Sequence, residues 1–428
     1  MKHHSESDTE TENSVAQYRH LNNLVFARPS SANLISERTQ KLSYPASLTY
    51  TTASTMQFVI NSGSEFVWGP SSYLKCRIGM SCAGAPIING SFLNLFSQIR
   101  LYHRSGELLE QVFFSDILAN IKLRYETSFS DYVKLAPLIG ASPVPGVPGT
   151  PYLTGVVLGG AEFFVNVNLP LSFYLGVFDN HSQFIPSQLL AGARLELVIN
   201  TDSAVQMGMT NINITSISPV LSLDCAKLYD EASKQILEES ADVQESGIQF
   251  TYNTFFASQF KPAAGAINID VLQSASLTEK VFLVNAIETY ATTQKYKFLS
   301  LNPAGYSYQF RIGSHYLPIY AIQDDTEAFN MAQIAFNGAY NQYSRPPSHT
   351  GISVNGFYND AHEDAINCVY ATSLEKSASN VALSGQPTNN SRLINFSAQG
   401  TAVAFTTTIF LEYVRVANCM LDSCVVDR

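Results

Sequence analysis

Short stretches of alternating apolar and polar residues dominate the chain from Ser43 onward. In Val165–Leu169, Ile212–Thr215, Ile248–Asn253 and Ile267–Val271, every second residue is apolar. A period of two places the apolar side chains on one face of a β-strand, so each stretch predicts a strand with one buried face. Many such strands, separated by turn residues, are typical of a β-sandwich or barrel. The sequence therefore predicts an all-β fold.

A different pattern covers the midpoint of the chain, at residues 225–240. Leu228, Ala232 and Ile236 recur at intervals of four, with charged residues between them. This spacing predicts an amphipathic helix near Leu228–Leu237. Because the alternating pattern restarts after it, we interpret the helix and its polar tail as the connection between two strand-rich domains.

The two halves of the chain resemble each other in the order of their motifs. Ser97–Leu101 resembles Tyr308–Ile312, which lies 211 residues further along. The same displacement aligns Ser115-Asp116 with Thr326-Glu327, and each pair opens a predicted short helix with a polar N-cap. A repeated order at a constant displacement predicts a duplicated architecture.

A second similarity between the halves lies near their ends, where Leu195–Val198 resembles Leu411–Val414 at a displacement of 216 residues.

The opening residues of the chain are rich in Glu, Asp, Ser and Thr, so they bury too little apolar surface to fold alone. The predicted organisation is a flexible N-terminal arm at 1–42, a first domain at 43–225, a helical connector at 226–246, a second domain at 247–419 and a C-terminal tail at 420–428.

Composition narrows the possible functions. The chain has 428 residues, of which 46% are hydrophobic and 14% charged, enough apolar material for two domains of about 200 residues. A net charge of -10 and the lack of any Lys/Arg run argue against direct sequence-specific nucleic-acid binding. No apolar stretch reaches the roughly 18 residues of a membrane span, and the N-terminus lacks the apolar core of a signal peptide.

No catalytic, cofactor-binding or metal-binding residues are predicted, and no cofactor. None of the eight histidines lies in an H-E-x-x-H motif, and the six cysteines form no C-x-x-C pair. We interpret the cysteines as reduced thiols. The chain also lacks a nucleophile elbow and a phosphate-binding loop, so it is not expected to be an enzyme.

Four features have a structural interpretation beside a functional one. Asp324-Asp325 precedes a predicted helix, where acidic residues favour the helix dipole, so capping is preferred over a carboxylate pair. Lys122 and Arg124 are interpreted as a solvated helix face rather than a nucleic-acid contact. His362-Glu363-Asp364 is predicted to be a solvated loop rather than a metal or acid–base site. The Pro/Gly-rich run at 142–151 is predicted to form a surface loop.

One local pattern resembles a known family. Asn168–Leu175 is followed by Ile185–Leu190 and then by Arg194–Ile199. This order of a strand, a Leu-Pro-Leu-aromatic helix, a Pro-led helix and a glutamate-bearing strand is similar to the end of the first jelly roll in double jelly-roll major capsid proteins of virophages, Polinton-like viruses and nucleocytoplasmic large DNA viruses. The resemblance covers roughly residues 43–423 and implies two tandem eight-stranded jelly rolls with short helices in the connecting loops.

The resemblance also implies a function. It implies a homotrimer of pseudo-sixfold outline that tiles an icosahedral shell, contacts neighbouring capsomers and penton and minor capsid proteins, and resides in the virion capsid after synthesis in the host cytoplasm or nucleus. We expect the N-terminal arm to be dispensable for folding but to contribute to assembly. We expect the aromatic segments Phe336–Tyr343 and Phe357-Tyr358 to be buried between subunits.

Two other classes of protein stay open at this point. A β-sandwich module that binds a receptor or a glycan, such as a spike or minor capsid component, uses the same kind of fold. The duplicated architecture with a helical connector argues against it. A glycan-cleaving enzyme would need two carboxylates facing one cleft, and the sequence nominates no such pair.

Overall fold

In the described part of the chain, the backbone pairs into four antiparallel sheets, two in each half. A computed structural model describes residues 35–87, 91–127, 129–141, 162–181, 183–201, 210–229, 248–286, 298–299, 301, 305–337, 368–375, 385–388, 392–401, 403–419 and 424–427.

The described residues of the first half form eight strands in two sheets. The strands are β1 (Ile35–Ser43), β2 (Thr55–Val59), β3 (Phe66–Ile87), β4 (Phe96–Tyr102), β5 (Leu108–Phe113), β6 (Glu162–Pro170), β7 (Arg194–Ile199) and β8 (Thr210–Leu228). One sheet has the order β1-β8-β3-β6, and the other has the order β2-β7-β4-β5. Each sheet therefore mixes strands from both ends of the segment, which is the connectivity of a jelly roll.

The second half repeats this arrangement eight strands later. Its strands are β9 (Ile248–Phe260), β10 (Gly265–Val271), β11 (Thr278–Ala286), β12 (Ser307–Ile312), β13 (His315–Ile322), β14 (Tyr370–Ser373), β15 (Ile394–Thr401) and β16 (Thr406–Cys419). The pairings are β9-β16-β11-β14 and β10-β15-β12-β13. A further strand, β17 (Cys424–Asp427), pairs with the end of β16. The structure confirms the predicted two tandem eight-stranded jelly rolls.

Helices occur in the connections between strands. Those in the described residues are α1 (Ser115–Tyr125), α2 (Phe129–Ile139), α3 (Ser187–Leu190) and α4 (Asp325–Asn337), with 3-10 turns at Phe92–Leu95, Leu171–Phe173 and Gly176–Phe178. α1 and α4 follow β5 and β13 and confirm the two predicted helices. The predicted polar N-cap of α1 is wrong, because its N-cap is Phe114 and no side chain forms a capping hydrogen bond there. Asp324 caps α4, since its carboxylate accepts from the Thr326 backbone N–H at 2.9 Å. Among the helices in the described ranges, none combines the length and apolar character that a membrane span requires.

The alternating patterns predicted the buried faces correctly. In β6, Val165, Val167 and Leu169 are buried while Asn166 is exposed. Aromatic residues fill much of the second roll and link its two sheets, because the ring of Tyr308 on β12 lies 4.8 Å from that of Tyr370 on β14. Such edge-on aromatic contacts stabilise a core beyond the area that they bury.

The prediction of a helix at the midpoint of the chain is wrong for its first residues. Residues 225–228 continue strand β8, where Cys225 pairs with Thr39 and Leu228 with Ile35. The spacing of Leu228 with later apolar residues suited a helix, but β1 offers hydrogen-bond partners along the whole of this segment, and tertiary pairing overrides local pattern. The rest of the predicted helix, from residue 230, lies outside the described residues.

The end of the predicted arm is also part of the fold. Ile35–Ser43 forms strand β1, so residues 35–42 belong to the first sheet rather than to a flexible arm. The strand is polar because it lies at the edge of its sheet, where Arg38 pairs with the Asp224 carboxylate on β8. Residues 1–34 lie outside the described residues, and the division of the chain into five segments stays a prediction.

The topology confirms one of the two sequence similarities between the halves and contradicts the other. Ser97–Leu101 lies in β4 and Tyr308–Ile312 in β12, which are equivalent strands, so the first similarity is confirmed. Leu195–Val198 lies in β7, whereas Leu411–Val414 lies in β16, although the equivalent of β7 is β15. The equivalence of these two segments is therefore wrong. The strand that closes the first roll is β8 rather than the glutamate-bearing β7.

Candidate functional site: the contact between the two jelly rolls

A buried polar cluster lies where the two rolls meet. Strand β5, at the edge of the first roll, contacts β9, the first strand of the second roll, and the 3-10 turn Gly176–Phe178 contacts β9 as well. These elements are distant in sequence, so the cluster exists only in the folded chain.

Glu110 is the centre of the cluster. Its side chain is fully buried, and its Oε1 accepts hydrogen bonds from the Gly176 backbone N–H and the Thr254 hydroxyl, both at 2.9 Å. Its Oε2 accepts from the Val177 backbone N–H at 3.1 Å. Burial raises the pKa of Glu110 to about 7, although these three hydrogen bonds and the charge of Arg415 oppose the rise. The carboxyl group thus joins β5, the turn and β9.

The neighbouring Leu109 presents its backbone to the second roll. The register of β4 with β5 shifts here, from Leu101 opposite Glu110 to Tyr102 opposite Leu108, which leaves Leu109 as a bulge residue. Its carbonyl accepts from the Tyr252 hydroxyl at 2.5 Å and from Arg415 Nη1 at 2.7 Å. The edge of the first roll is therefore capped by side chains of the second.

Gly176 permits the close approach of the turn to β9. A Cβ atom built on Gly176 would lie 1.4 Å from the Asn253 carbonyl oxygen, far inside van der Waals contact. Because that obstacle is backbone, no side-chain rotation relieves it. Glycine is required here for packing between the rolls.

A lysine joins acidic groups of both rolls. Nζ of Lys280, on β11, lies 2.9 Å from the Glu126 carboxylate next to α1 and 2.7 Å from the Glu412 carboxylate on β16. Asn253 donates to Glu412 at 3.0 Å. Only a small fraction of the Lys280 and Glu412 side chains is exposed, so this ion pair is shielded from solvent.

The prediction that Lys122 lies on a solvated face of α1 is wrong. Its side chain is buried, and Nζ donates to Asp179 at 2.5 Å and lies 5.2 Å from the centre of the Phe255 ring on β9. Burial lowers the pKa of Lys122, but the Asp179 and Glu126 carboxylates more than offset this, so the pKa lies above its usual value. Arg124, the other cation of the pair, lies over the Phe298 ring at 4.8 Å.

Aromatic residues complete the contact. The ring of Tyr125 on α1 lies 5.0 Å from that of Phe336 on α4, which in turn lies 5.1 Å from Phe282. Phe336 is buried within the chain, so its predicted burial between subunits is wrong. The remaining aromatic residues of that prediction, from Tyr340 onward, lie outside the described residues.

The other predicted features lie elsewhere or outside the described ranges. Cys76 and Cys225 are buried free thiols, and Cys368 and Cys424 are buried as well. The interpretation of all six cysteines as reduced thiols stays a prediction. Residues 142–151 and 362–364 are outside the described part of the chain. Within the described part, no group of three or more His, Cys, Asp or Glu side chains is placed to hold a metal ion.

Sequence reasoning missed the cluster between the rolls. Its members are separated by up to 306 residues, and each has an ordinary local context. The one sign of the cluster in the sequence was Glu110, a charged residue that follows the apolar Leu109 and precedes the partly apolar end of the strand. In an alternating strand, a glutamate is normally assigned to the exposed face.

Comparison with known proteins shows the fold. No family model and no curated protein matches the chain. Among solved structures, the Faustovirus major capsid protein matches with a TM-score of 0.61 at 9% identity, over 92% of this chain and 93% of that one. PBCV-1 VP54, fitted into a reconstruction of the virophage Sputnik, has a TM-score of 0.60 at 9% identity, over 92% and 97%. The Sputnik virophage structure has a TM-score of 0.58 at 9% identity, over 92% and 88%.

Proposed function

We propose that this chain is a major capsid protein, a structural subunit that forms pseudo-hexameric homotrimeric capsomers of an icosahedral virus shell. The observation that carries the proposal is the pair of topologically identical jelly rolls, matched over nine-tenths of the chain by structures of viral capsid proteins. Capsid subunits act by shape and contact, so the role is structural rather than catalytic.

The duplicated fold gives this function a geometric basis. Two similar rolls in each of three copies form six similar sectors, so one gene product occupies a hexagonal lattice. This requires the two rolls to keep a fixed orientation within the subunit. The buried contact through Glu110, Gly176 and Lys280 supports that requirement, because buried polar groups are satisfied in only one arrangement.

The finer parts of the proposal concern partners and location. The capsomers contact one another and the penton and minor capsid proteins, and the protein resides in the virion capsid after synthesis in the host cytoplasm or nucleus. The net charge of -10 supports a shell that encloses the genome without direct sequence-specific binding of nucleic acid.

Size-exclusion chromatography with light scattering tests the proposal. We expect the purified chain to have three times the 47.0 kDa mass of the subunit. A chain that stays monomeric at high concentration would overturn the capsid role and favour the alternative, a β-sandwich module that binds a receptor or a glycan.

A further inference from the structure

The contact between the rolls has a counterpart on the outside of the subunit. Strand β5 is the fifth strand of the first roll, and β13 is the fifth strand of the second. Strand β9 begins the second roll, and β1 begins the first. Within one chain β5 packs on β9, so the same relation between β13 and β1 can be formed only between two copies.

Strand β13 presents apolar side chains to solvent. Ile319 is 89% exposed and Tyr320 is 63% exposed, whereas Leu109 and Glu110 of β5 are fully buried by the second roll. Both strands lie at the edge of the equivalent sheet. Exposed apolar residues at a sheet edge are typical of a surface that pairs with another molecule.

The pairing of β12 with β13 is irregular. Its register shifts between Tyr308 and Phe310, at the end of the hairpin far from the turn, whereas the register of β4 with β5 shifts beside the turn, at Leu109. Gln309 fixes the irregular segment, because its amide donates to the Pro318 carbonyl at 2.9 Å and the Ile319 carbonyl at 3.1 Å. The backbone that carries Ile319 is thus held in place within the subunit, while the Ile319 side chain is exposed.

The end of β1 offers a matching apolar surface. Leu42 is 55% exposed and Tyr44 is 61% exposed, and Val59 at the end of β2 is 63% exposed beside them. A cavity of about 380 Å³ opens at this place. Its lining includes the apolar Leu42, Tyr44, Val59 and Ile60 and the polar Ser43 and Asn61.

We propose that the Ile319–Tyr320 edge of β13 docks on the Leu42–Tyr44 surface of a second copy of this chain. The proposal rests on the proposed capsid function, in which three copies form a closed ring. Each copy supplies one β13 edge and one β1 surface, so the contact is heterologous and closes when the rotation between copies returns to the first one. Contacts between rolls around the ring then alternate between one within a chain and one between chains.

Substitution of the two surfaces tests the docking. Ile319→Asp and Leu42→Asp place a charge in the contact, and each is expected to change the mass measured by light scattering from three subunits to one. Leu272→Asp is the matched control, since Leu272 is 75% exposed and follows β10 at the opposite edge of the same sheet. The control is expected to keep the mass of three subunits, and circular dichroism is expected to show an unchanged strand signal in all three variants.

The outcomes separate this inference from the proposed function. If Ile319→Asp and Leu42→Asp both stay trimeric, the docking surface is wrong and the capsid role stands. If the unmodified chain is monomeric, both are wrong.

Chemical cross-linking supplies a second test that does not depend on disrupting the contact. In a double variant, Ile319→Cys with Leu42→Cys, a short bis-maleimide is expected to yield covalent trimers on a denaturing gel. The pair Ile319→Cys with Leu272→Cys, and the unmodified chain with its native cysteines, are treated in parallel as controls. Equal cross-linking of the test pair and the controls would overturn the inference.

Discussion

Strands β9 and β1 occupy the same position in the two rolls, yet their surroundings differ. In β9, Phe250, Tyr252 and Thr254 are buried, because the first roll covers this strand. In β1, residues 36–38 are exposed and only Ser43 is buried. The sequences match this difference, since β9 is rich in aromatic residues and β1 is largely polar.

The same fold thus serves two kinds of contact. A contact that forms once, during folding, can bury aromatic rings and a carboxyl group. A strand that is exposed in the separate subunit must stay polar along most of its length to remain soluble, which confines its apolar surface to the end near Leu42.

Gly176→Ala is expected to have the largest effect. The added methyl group cannot fit against the Asn253 carbonyl, so the turn must leave β9 and abandon its hydrogen bond to Glu110. We expect the free energy of unfolding to fall by about 3–5 kcal/mol in urea denaturation. The control Gly106→Ala meets no atom within 4 Å and suffers only from its positive φ, at about 1–2 kcal/mol. Equal losses in the two variants would contradict the account.

Lys280→Met tests the ion pairs that join the rolls. The substitution keeps the aliphatic stem but leaves the shielded Glu412 carboxylate without its cation, so we expect a loss of about 2–3 kcal/mol in the same denaturation. Lys134→Met is the control, because Lys134 pairs with Asp131 in solvent and is expected to cost under about 0.5 kcal/mol. A loss at Lys280 no greater than that at Lys134 would show that the bridge does not hold the rolls.

The pH dependence of stability tests the state of Glu110. Its pKa is raised to about 7 in the folded chain, so the folded state holds a proton that the unfolded state has already lost above about pH 4.5. This contribution is present in full below pH 4.5 and is lost as the pH rises through 7. Relative to Glu110→Gln, the unmodified chain is expected to lose on the order of 2 kcal/mol between pH 5 and 8. A constant difference over this range would mean that the three donors keep the carboxylate ionised throughout.

Deletion of residues 1–34 is expected to have the smallest effect on the subunit. The polar composition of these residues gives them little apolar surface to bury, so the midpoint of thermal unfolding should stay nearly unchanged while assembly is impaired. Deletion of residues 1–43 is the contrasting variant, because it also removes β1 and exposes the edge of β8. Unfolding of the shorter deletion would show that the arm contributes to a core.

The sequence predicted the strands better than their partners. The alternation in Val165–Leu169 reports which face is buried, because burial of one face depends on a period of two and on little else. The same property misled the comparison of Leu195–Val198 with Leu411–Val414, since any two half-buried strands share an alternating pattern. Equivalent strands are distinguished by their hydrogen-bond partners, which local sequence does not record.

The contact between the rolls was beyond prediction for a similar reason. Glu110 meets Gly176 and Thr254 only because three distant segments converge, and its burial reverses the usual assignment of a glutamate to a solvated face. Lys122 was assigned to solvent on the same rule and is buried against Phe255. The local sequence around a polar residue does not show whether that residue stabilises an interface within the chain.

Negative-stain electron microscopy of the purified chain tests whether it forms capsomers of two-roll subunits. We expect class averages of a particle with a hexagonal outline and six lobes, two from each of three subunits, and larger curved or closed shells as the concentration rises. Particles with only two lobes at every concentration, the size of a single chain, would contradict it.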